Sequence, residues 1–504
     1  MSKNTIIRRL KTGVHGLDDL LGGGLPEYSL NIIAGTPGSG KTTLAHQIMF
    51  ALASVTHRAL FFTVLGEPAV KMLRYQQQFA YFDVAKINQS IRFVNLSAEV
   101  LDGNLDHVLS RIAEEVKAYA PSLVFIDSFR STMMADKHSE HWASEQQQFV
   151  QRLGMLMASW MATTILVGGY TVPESQSNPI FAIADGIVWL SQSIQRNSMV
   201  RKIQVVKMRG QAQAPGLHTF RISNHGIQVF PRALGALASA VASKASLNHG
   251  SARALTGVPV LDGMLGGGLP AGYSLLVVGP TGSGKTILAT QFLAEGVRLG
   301  EQGVIAAFEK SPGQLLGNKK LFSLIQAGQV GVIDTRALDL SICETLHDLI
   351  DMIKRRHAKR VVIDSLSGFE LALAPEFSED FRGSLYRMVV ELTGLGVTIL
   401  MTSELEDRYS DLRFSPFGSA FLTDAIVVQR YVEIAGQFKR AIAVVKVRGS
   451  AHSKDIRLFD ITDEGITIGE TLSGYSGIMT GRPTLTHTAS ETRSTRQIGE
   501  ESEK

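Results

Sequence analysis

Four motifs recur in the same order, at nearly constant spacing, along this chain. LDDLLGGGLP at residues 17–26 returns as LDGMLGGGLP at 261–270, and GTPGSGKT at 35–42 returns as GPTGSGKT at 279–286, with the same offset in both cases. The triplet IDS at 126–128 returns at 363–365, and K-x-R-G at 207–210 returns at 446–449. Four ordered repeats cannot plausibly arise by chance, and so long a period indicates two whole domains rather than a solenoid.

The repeat divides the 504 residues into domains of ordinary size. We predict a first nucleotide-binding domain over residues 1–232, a linker over 233–253 and a second nucleotide-binding domain over 254–470. The linker is rich in Ala and Ser and poor in large core residues. Residues 471–504 shift to Ser, Thr, Gly and charge, a composition typical of a flexible polar tail.

Composition limits the cellular setting and the partners. The net charge is only +4, which argues against a dedicated nucleic-acid binder with a clustered basic face. The single cysteine, Cys343, excludes an internal disulfide framework and suits a reducing cytosol. No apolar run approaches the roughly 20 residues that cross a bilayer, and no apolar segment follows the basic N-terminus. We therefore expect a cytoplasmic protein without membrane attachment.

Each half alternates apolar runs with amphipathic stretches. YSLNIIAG at 28–35, LVFID at 123–127 and TTILVGG at 163–169 predict buried strands, and so do their counterparts in the second half. Helices are predicted between them, for example over residues 101–120 and 345–356. Continuous apolar strands separated by amphipathic helices predict an α/β fold, with a mainly parallel sheet flanked by helices in each half.

Both Gly-rich segments fit G-x-x-x-x-G-K-[ST], directly after a predicted strand and at the start of a helix. Glycines there let backbone N–H groups point at a β-phosphate, while Lys reaches the β/γ oxygens and Thr offers its hydroxyl to Mg²⁺. The first loop comprises Gly35, Thr36, Pro37, Gly38, Ser39, Gly40, Lys41 and Thr42. The second comprises Gly279, Pro280, Thr281, Gly282, Ser283, Gly284, Lys285 and Thr286. Two copies in this context predict two ATP sites.

A carboxylate ends an apolar strand in each half, at Asp127 and Asp364, and both follow the loop Lys at a similar separation. A carboxylate in this position holds Mg²⁺ through water in P-loop enzymes. The alternative is an N-cap for a following helix, since a Ser comes next in both cases. The loops favour the metal role.

Hydrolysis also needs a group that orients the attacking water. Glu309 follows Lys285, and Glu67 follows Lys41, each just past the next predicted strand. Either could be this base, and the alternative for both is a solvated Glu in a turn. The predicted metal set is Thr42, Asp127, Thr286, Glu309 and Asp364.

Two basic pairs, Lys207/Arg209 and Lys446/Arg448, follow β-like runs. Side chains at i and i+2 lie on one face of a strand, so each pair could neutralise phosphate charge on a neighbouring subunit's nucleotide. The alternative is ordinary surface charge. Recurrence of the pair at the same place in both halves favours the phosphate role.

With these motifs in place, the chain resembles the KaiC family, the double-domain ATPases and autokinases of the cyanobacterial clock, within the RecA-like superfamily. The order GGGLP, G-x-x-G-S-G-K-T, I-D-S, K-x-R-G carries the resemblance over roughly residues 10–469. It implies two tandem RecA-like domains in hexameric double rings, with ATP and Mg²⁺ held between subunits. Neighbour-donated contacts would come from Lys207, Met208 and Arg209 in one ring. In the other they would come from Arg440, Lys446, Val447, Arg448, Ser450, His452 and Lys454.

The chain departs from the family pattern at two places. The family's adjacent Glu–Glu pair corresponds to Glu309–Lys310 in the second half and to Leu65–Gly66 in the first, with Glu67 one residue late. The family's autophosphorylated Ser–Thr pair corresponds to Ala420 and Phe421, which have no hydroxyl. Nearby hydroxyls are those of Ser415, Ser419 and Thr423.

Three functional hypotheses follow. The leading one is an ATP-driven homo-oligomeric switch whose conformation is read by a signalling or clock-type protein partner. A DNA-dependent ATPase of the recombinase or helicase class is the alternative, which would need basic, aromatic-studded loops. The third adds Ser/Thr autokinase activity on alternative hydroxyls.

Overall fold

A computed structural model of the chain describes residues 7–64, 69–129, 142–171, 178–195, 198–232, 252–308, 318–334, 341–373, 381–405, 422–434, 436–477 and 484–485. The chain divides into two compact units, Met1–Leu234 and Gly235–Lys504. Within the described ranges, no helix is long and apolar enough to cross a membrane.

The first unit is built on a nine-stranded sheet. A short ribbon, β1 (Arg9–Leu10) with β2 (Leu25–Pro26), precedes it. The sheet strands are β3 (Leu30–Gly35), β4 (Ala59–Thr63), β5 (Ile91–Asn95), β6 (Leu123–Asp127), β7 (Thr163–Gly169), β8 (Gly186–Gln195), β9 (Ser198–Met208), β10 (His218–Ser223) and β11 (Gly226–Phe230). Their spatial order is β11-β10-β9-β8-β3-β7-β6-β4-β5. Neighbouring strands pair in parallel along β8-β3-β7-β6-β4-β5, and they pair antiparallel along β11-β10-β9-β8.

Helices cover both faces of this sheet. Those described are α1 (Leu17–Leu20), α2 (Lys41–Leu52), α3 (Ala69–Gln76), α4 (Ser97–Leu101), α5 (Leu105–Tyr119), α6 (Trp142–Ser159) and α7 (Pro179–Ile183), with a 3-10 turn at Val84–Lys86. Alternate residues of each central strand face opposite cores. Ile33 and Phe61 join the core under α2, while Ile32 and Leu60 join the core under α5 and α6. Burial on both faces explains why these strands read as continuous apolar runs.

The second unit repeats the arrangement. A ribbon pairs β12 (Arg253–Ala254) with β13 (Leu269–Pro270). The sheet strands are β14 (Ser274–Gly279), β15 (Gly303–Ala307), β16 (Val330–Asp334), β17 (Arg360–Asp364), β18 (Thr398–Glu404), β19 (Ala425–Ile434), β20 (Gln437–Val447), β21 (Ile456–Thr462) and β22 (Gly465–Thr471). Their spatial order is β16-β15-β17-β18-β14-β19-β20-β21-β22. A last ribbon joins β23 (Tyr475–Ser476) and β24 (Thr484–Leu485), within the segment predicted as a polar tail.

The described helices of the second unit are α8 (Pro259–Met264), α9 (Lys285–Arg298), α10 (Lys319–Gln326), α11 (Ile342–Arg356), α12 (Leu366–Ala372) and α13 (Phe381–Gly394). Two cores again lie on the two faces of the sheet, with Leu288 and Phe292 of α9 in one and Leu349 of α11 in the other. The predicted α/β class, with two tandem P-loop domains of the RecA-like type, is confirmed.

One predicted helix differs from the structure. The sequence pattern predicts a single helix over residues 101–120, but α4 ends at Leu101 and α5 begins at Leu105. Gly103 between them has φ of 74°, and the Asn104 side chain accepts a hydrogen bond from the Asp106 N–H at 2.9 Å. This capping contact starts a new helix, because an Asn side chain satisfies a backbone donor that a helix start leaves unpaired.

The repeated LD-x-x-L-G-G-G-L-P segment has a structural role in both units. Asp18 Oδ1 accepts hydrogen bonds from Thr12 N and Oγ1, at 2.9 and 2.8 Å. Asp262 Oδ1 accepts the same pair from Thr256, at 2.7 and 2.8 Å. In both units these bonds tie the residues that follow the first ribbon strand to the next helix, α1 or α8.

Candidate functional site

In each unit the Gly-rich loop joins the central strand to a helix. Gly40 and Gly284 precede α2 and α9, and both have φ of 98°, a left-handed conformation that favours glycine. A β-carbon on Gly40 would also lie 2.8 Å from Ile222 Cδ1. The sequence therefore needs glycine at this turn, which leaves backbone N–H groups and the helix N-terminus available to an anion.

The loop lysines fold back over their own loops. Lys41 Nζ donates to Thr36 O at 2.7 Å, and Lys285 Nζ donates to Gly279 O and Pro280 O at 2.7 and 2.9 Å. Burial lowers the pKa of Lys41, and the nearby Asp127 carboxylate opposes that shift. Each ammonium thus already lies within the turn that would surround a phosphate.

A hydroxyl–carboxylate pair lies at the foot of each loop. Thr42 Oγ1 donates to Asp127 Oδ2 at 2.6 Å, and Thr286 Oγ1 donates to Asp364 Oδ2 at 2.8 Å. In the second unit Thr402 Oγ1 also donates to Asp364 Oδ1. These are the hard oxygen groups that Mg²⁺ prefers, and they lie where the neighbouring parallel strands end.

The donor set fits a metal that also takes ligands from a bound phosphate. In the described part of the chain, no three His, Cys, Asp or Glu side chains are grouped to hold a metal by themselves. Mg²⁺ commonly binds through one or two carboxylates, water and substrate phosphates rather than through a protein cage. The helix-capping alternative for Asp364 does not apply, because the cap of α12 is Ser365, whose side chain accepts from Gly368 N. Asp127 keeps both interpretations.

In the second unit these groups line a cavity of about 270 Å³. Its lining includes Lys285, Thr286, Asp364 and Glu404. The sequence motifs did not predict Glu404 as a site residue. Glu404 ends β18 and accepts a hydrogen bond from Thr281 Oγ1 of the loop. The rule that identified Asp364, a carboxylate at the end of a buried strand, would also have found Glu404.

A second cavity, of about 540 Å³, shares the lining residues Thr286 and Ile287 with the first. Its other walls are α9, the start of α10 and the turn between β21 and β22. Gln291 of α9 fixes that turn, because its Oε1 accepts from Ile466 N at 2.9 Å. Gln47 of α2 does the same in the first unit, where its Oε1 accepts from Ile227 N at 2.7 Å. Neither glutamine was identified from the sequence.

In each unit the K-x-R-G pair lies near the amino end of the central strand, opposite the end where the Gly-rich loop begins. Leu30 N donates to Asp185 Oδ2 at the amino end of β3, and Arg209 pairs with the same Asp at 3.2 Å. In the second unit Ser274 N donates to Asp424 Oδ2, and Arg448 approaches that Asp to 3.7 Å. The loop begins at the other end of the same strand, about 16 Å away. A K-x-R-G pair therefore does not meet the phosphate loop of its own unit.

The contacts that the Lys and Arg of the K-x-R-G pairs make within their own unit are weak enough to be replaced by contacts with a ligand. The side chains of Arg209 and Arg448 are 58% and 59% exposed, and exposed ion pairs contribute about 0–1 kcal/mol. Lys207 Nζ donates to Ala182 O at 2.9 Å and Lys446 Nζ to Thr423 O at 2.8 Å. Desolvation chiefly lowers the pKa of each lysine, and the neighbouring arginine adds to the effect.

The other residues predicted to reach a neighbour's nucleotide lie in several places. Arg440 lies toward the end of its sheet where the Gly-rich loop begins, and its Cζ is 5.6 Å from the centroid of the Tyr431 ring. Arg201, which the sequence reasoning missed, has the same register position opposite Gln192 in the first unit. Ser450 Oγ accepts from Arg253 at 2.9 Å, while His452 is half-buried and Lys454 is exposed.

Met208 and Val447 are 8% and 6% exposed and belong to the cores. Their side chains thus cannot face a ligand at the surface, so only their main chains could reach one.

Several predicted residues lie outside the described part of the chain. They are Glu67 and its neighbours Leu65 and Gly66, Glu309 with Lys310, and Ser415, Ser419, Ala420 and Phe421. Thr423 is described and fully buried, at 0% exposure. Its hydroxyl is therefore inaccessible as a phosphate acceptor in this conformation.

Replacing Asp364 by Asn is expected to weaken Mg²⁺ binding at the second site by about 10- to 100-fold, the usual effect of losing a group that orients metal ligands. The amide keeps the shape and one acceptor oxygen but removes the charge. The change is measured by recording nucleotide binding to this variant at increasing Mg²⁺ concentrations. The matched control is Asp351→Asn on the surface of α11, and an equal response of both variants would remove Asp364 from the metal site.

Comparison with known proteins gives one consistent result. A family model described as the KaiC ATPase matches the chain twice, over residues 10–233 and 254–473. The circadian clock oscillator protein KaiC of Picosynechococcus sp. is 28% identical over 95% of this chain and 93% of its own length. The proteins of the same name from Thermosynechococcus vestitus and Synechococcus elongatus are 29% and 28% identical, over 95% and 96% of this chain and 92% and 93% of their own lengths.

Proposed function

Since the chain belongs to the KaiC family of ATPases, with two tandem domains, we propose that both of its Gly-rich loops bind ATP with Mg²⁺ and that the protein hydrolyses it as a cytoplasmic hexamer. The observation that carries the proposal is the hydroxyl–carboxylate pair behind each loop, Thr42 with Asp127 and Thr286 with Asp364. A hydroxyl, a carboxylate and an ammonium at one strand-to-helix junction are the groups a P-loop enzyme uses.

The residues of this chain would divide the work as follows. Loop N–H groups and the helix N-terminus bind the phosphates, and Lys41 and Lys285 exchange their loop carbonyls for phosphate oxygens. Thr42 and Thr286 offer a direct metal ligand, and Asp127 and Asp364 orient water around it. Bound Mg²⁺ neutralises charge that develops on the phosphates. Glu309 and Glu67 are the proposed groups that orient the attacking water.

In the second unit the nucleoside would occupy the larger cavity. Thr286 and Ile287 line both that cavity and the phosphate cavity. A nucleoside triphosphate is an elongated ligand with an anionic end, and two cavities that share lining residues would suit that shape. Lys319 and Lys320 on one wall and Asp463 and Glu464 on the other supply polar groups around it.

The position of the K-x-R-G pairs supports assembly. Because Lys446 and Arg448 lie about 16 Å from the loop of their own unit, we propose that they contact a phosphate bound to another copy. We propose that Lys207 and Arg209 act likewise in the first ring. ATP held between subunits couples hydrolysis to ring conformation, which a signalling partner would read.

The purified 504-residue chain is expected to hydrolyse ATP only with Mg²⁺ and to assemble, in the presence of nucleotide, to six times its 54.7 kDa mass. ATP turnover and native mass measured on one sample test both statements. A monomer that turns over at the same rate at all concentrations would contradict the shared site.

Two further measurements separate the other hypotheses. Single-stranded DNA at low salt should not stimulate hydrolysis, whereas salt-sensitive stimulation would favour the recombinase class.

Phosphate should not remain on the protein after incubation with ATP, because positions 420 and 421 carry Ala and Phe. Retained phosphate that disappears in Glu309→Gln would instead show autokinase activity on another hydroxyl.

A further inference from the structure

The two units differ at one position beside the loop. The strand next to the loop strand ends with Gly169 in the first unit and with Glu404 in the second, and these residues hold the same register, opposite Gly35 and Gly279. Two residues earlier, Val167 in the first unit corresponds to Thr402 in the second. The second site therefore carries an additional carboxylate and hydroxyl.

Several contacts hold Glu404 in the phosphate cavity. Its side chain accepts a hydrogen bond from Thr281 Oγ1 of the Gly-rich loop. Its backbone N donates to Ser367 Oγ at 3.2 Å, and Leu405 N donates to Gly279 O at 3.2 Å. With its main chain held on both sides, the carboxylate lines the same cavity as Lys285, Thr286 and Asp364.

An added carboxylate changes what the second site can accept. A polyphosphate carries several negative charges, and charges of like sign repel strongly in a cavity that is only partly open to water. A divalent cation bound with the nucleotide removes most of that repulsion, because it supplies two positive charges beside the carboxylates. Gly169 places no such charge in the first site.

We propose that Glu404 makes nucleotide binding at the second site depend more strongly on a divalent cation than binding at the first site, where Gly169 occupies the same position. This inference rests on the proposed function, since it assumes that both loops bind nucleoside triphosphates. Glu404 thereby sets which form of the nucleotide, metal-bound or metal-free, the second site accepts.

Two single-site chains allow each site to be measured alone. The full chain with Lys41→Ala reports the second site, and the full chain with Lys285→Ala reports the first. ATP is titrated calorimetrically into each, once with Mg²⁺ and once with EDTA. The ratio of the ATP affinity in Mg²⁺ to the ATP affinity in EDTA is expected to be about tenfold larger at the second site. This is the effect of one added like charge at this range.

Glu404→Gln in the Lys41→Ala chain tests the cause. Gln keeps an acceptor oxygen for Thr281 but removes the charge, so metal-free ATP should bind about tenfold more tightly. Binding with Mg²⁺ should change much less. Glu433→Gln, an exposed carboxylate in β19, removes the same net charge elsewhere and should change neither value.

Gly169→Glu in the Lys285→Ala chain is the reciprocal test. A β-carbon on Gly169 meets nothing within 4 Å, so a side chain can begin at this position without a clash at its first carbon. Metal-free ATP should then bind the first site about tenfold more weakly. Unchanged metal-free affinity in either variant would overturn the role of Glu404. Absence of any ATP binding in both single-site chains would instead overturn the proposed function.

Discussion

Lys285→Ala is expected to reduce the ATP bound per chain from two molecules to one, and Lys41→Ala is expected to do the same at the other site. Each ammonium lies within its loop, bonded to loop carbonyls. Removing one partner of a desolvated charge pair costs about 2–5 kcal/mol, so the affected site should bind at least about 30-fold more weakly. Equilibrium dialysis with labelled ATP and Mg²⁺ gives the stoichiometry directly.

Exposed lysines provide the controls for this experiment. Lys117→Ala and Lys359→Ala remove the same charge at the surface of the first and second units, and both variants should still bind two nucleotides. The double variant Lys41→Ala/Lys285→Ala should bind none. If both loop variants retained two nucleotides at the original affinity, the assignment of the phosphate sites would be wrong.

Hydrolysis at the second site is expected to fall by about 10³-fold in Lys446→Ala and to recover when two inactive variants are mixed. A cation supplied by a neighbouring subunit contributes about 10³–10⁵ in turnover in enzymes that use one. In a Lys41→Ala background, one chain also carries Lys285→Ala and the other Lys446→Ala. The first lacks its loop lysine but keeps a cation to donate, and the second has the reverse defect.

Mixing should therefore rebuild complete sites. With random assembly about a quarter of the interfaces pair an intact loop with an intact donor, so activity should return to roughly that fraction. Native mass of the mixture confirms that the subunits exchange. If the mixture stayed as inactive as its components despite exchange, Lys446 would act within its own chain, against its separation from the loop of its own unit.

The sequence predicted those features that depend on residues close together in the chain. A strand, a Gly-rich turn and a helix follow one another without interruption, so Lys41 and Lys285 could be placed directly. Asp127 and Asp364 were found because both end apolar runs, and parallel strands bring their carboxyl ends to one edge. Each carboxylate contacts the Thr of its loop at the carboxyl end of the strand, and the metal role of these residues stays a prediction.

Contacts that depend on long-range register could not be predicted from the sequence. Glu404 meets Thr281 only because β18 lies beside β14 with Glu404 opposite Gly279. Gln291 is far along the chain from the Ile466 backbone that it binds. Strand order and register decide both.

The placement of the loop at one end of β3 or β14, and of the basic pair at the other, gives every subunit a polarity. In the proposed shared site, head-to-tail contact would match the loop end of one copy to the basic pair of the next, and a head-to-tail chain leaves unfilled ends unless it closes on itself. Ring closure would then complete every catalytic site at once, so this polarity would favour all-or-none activation over graded activation.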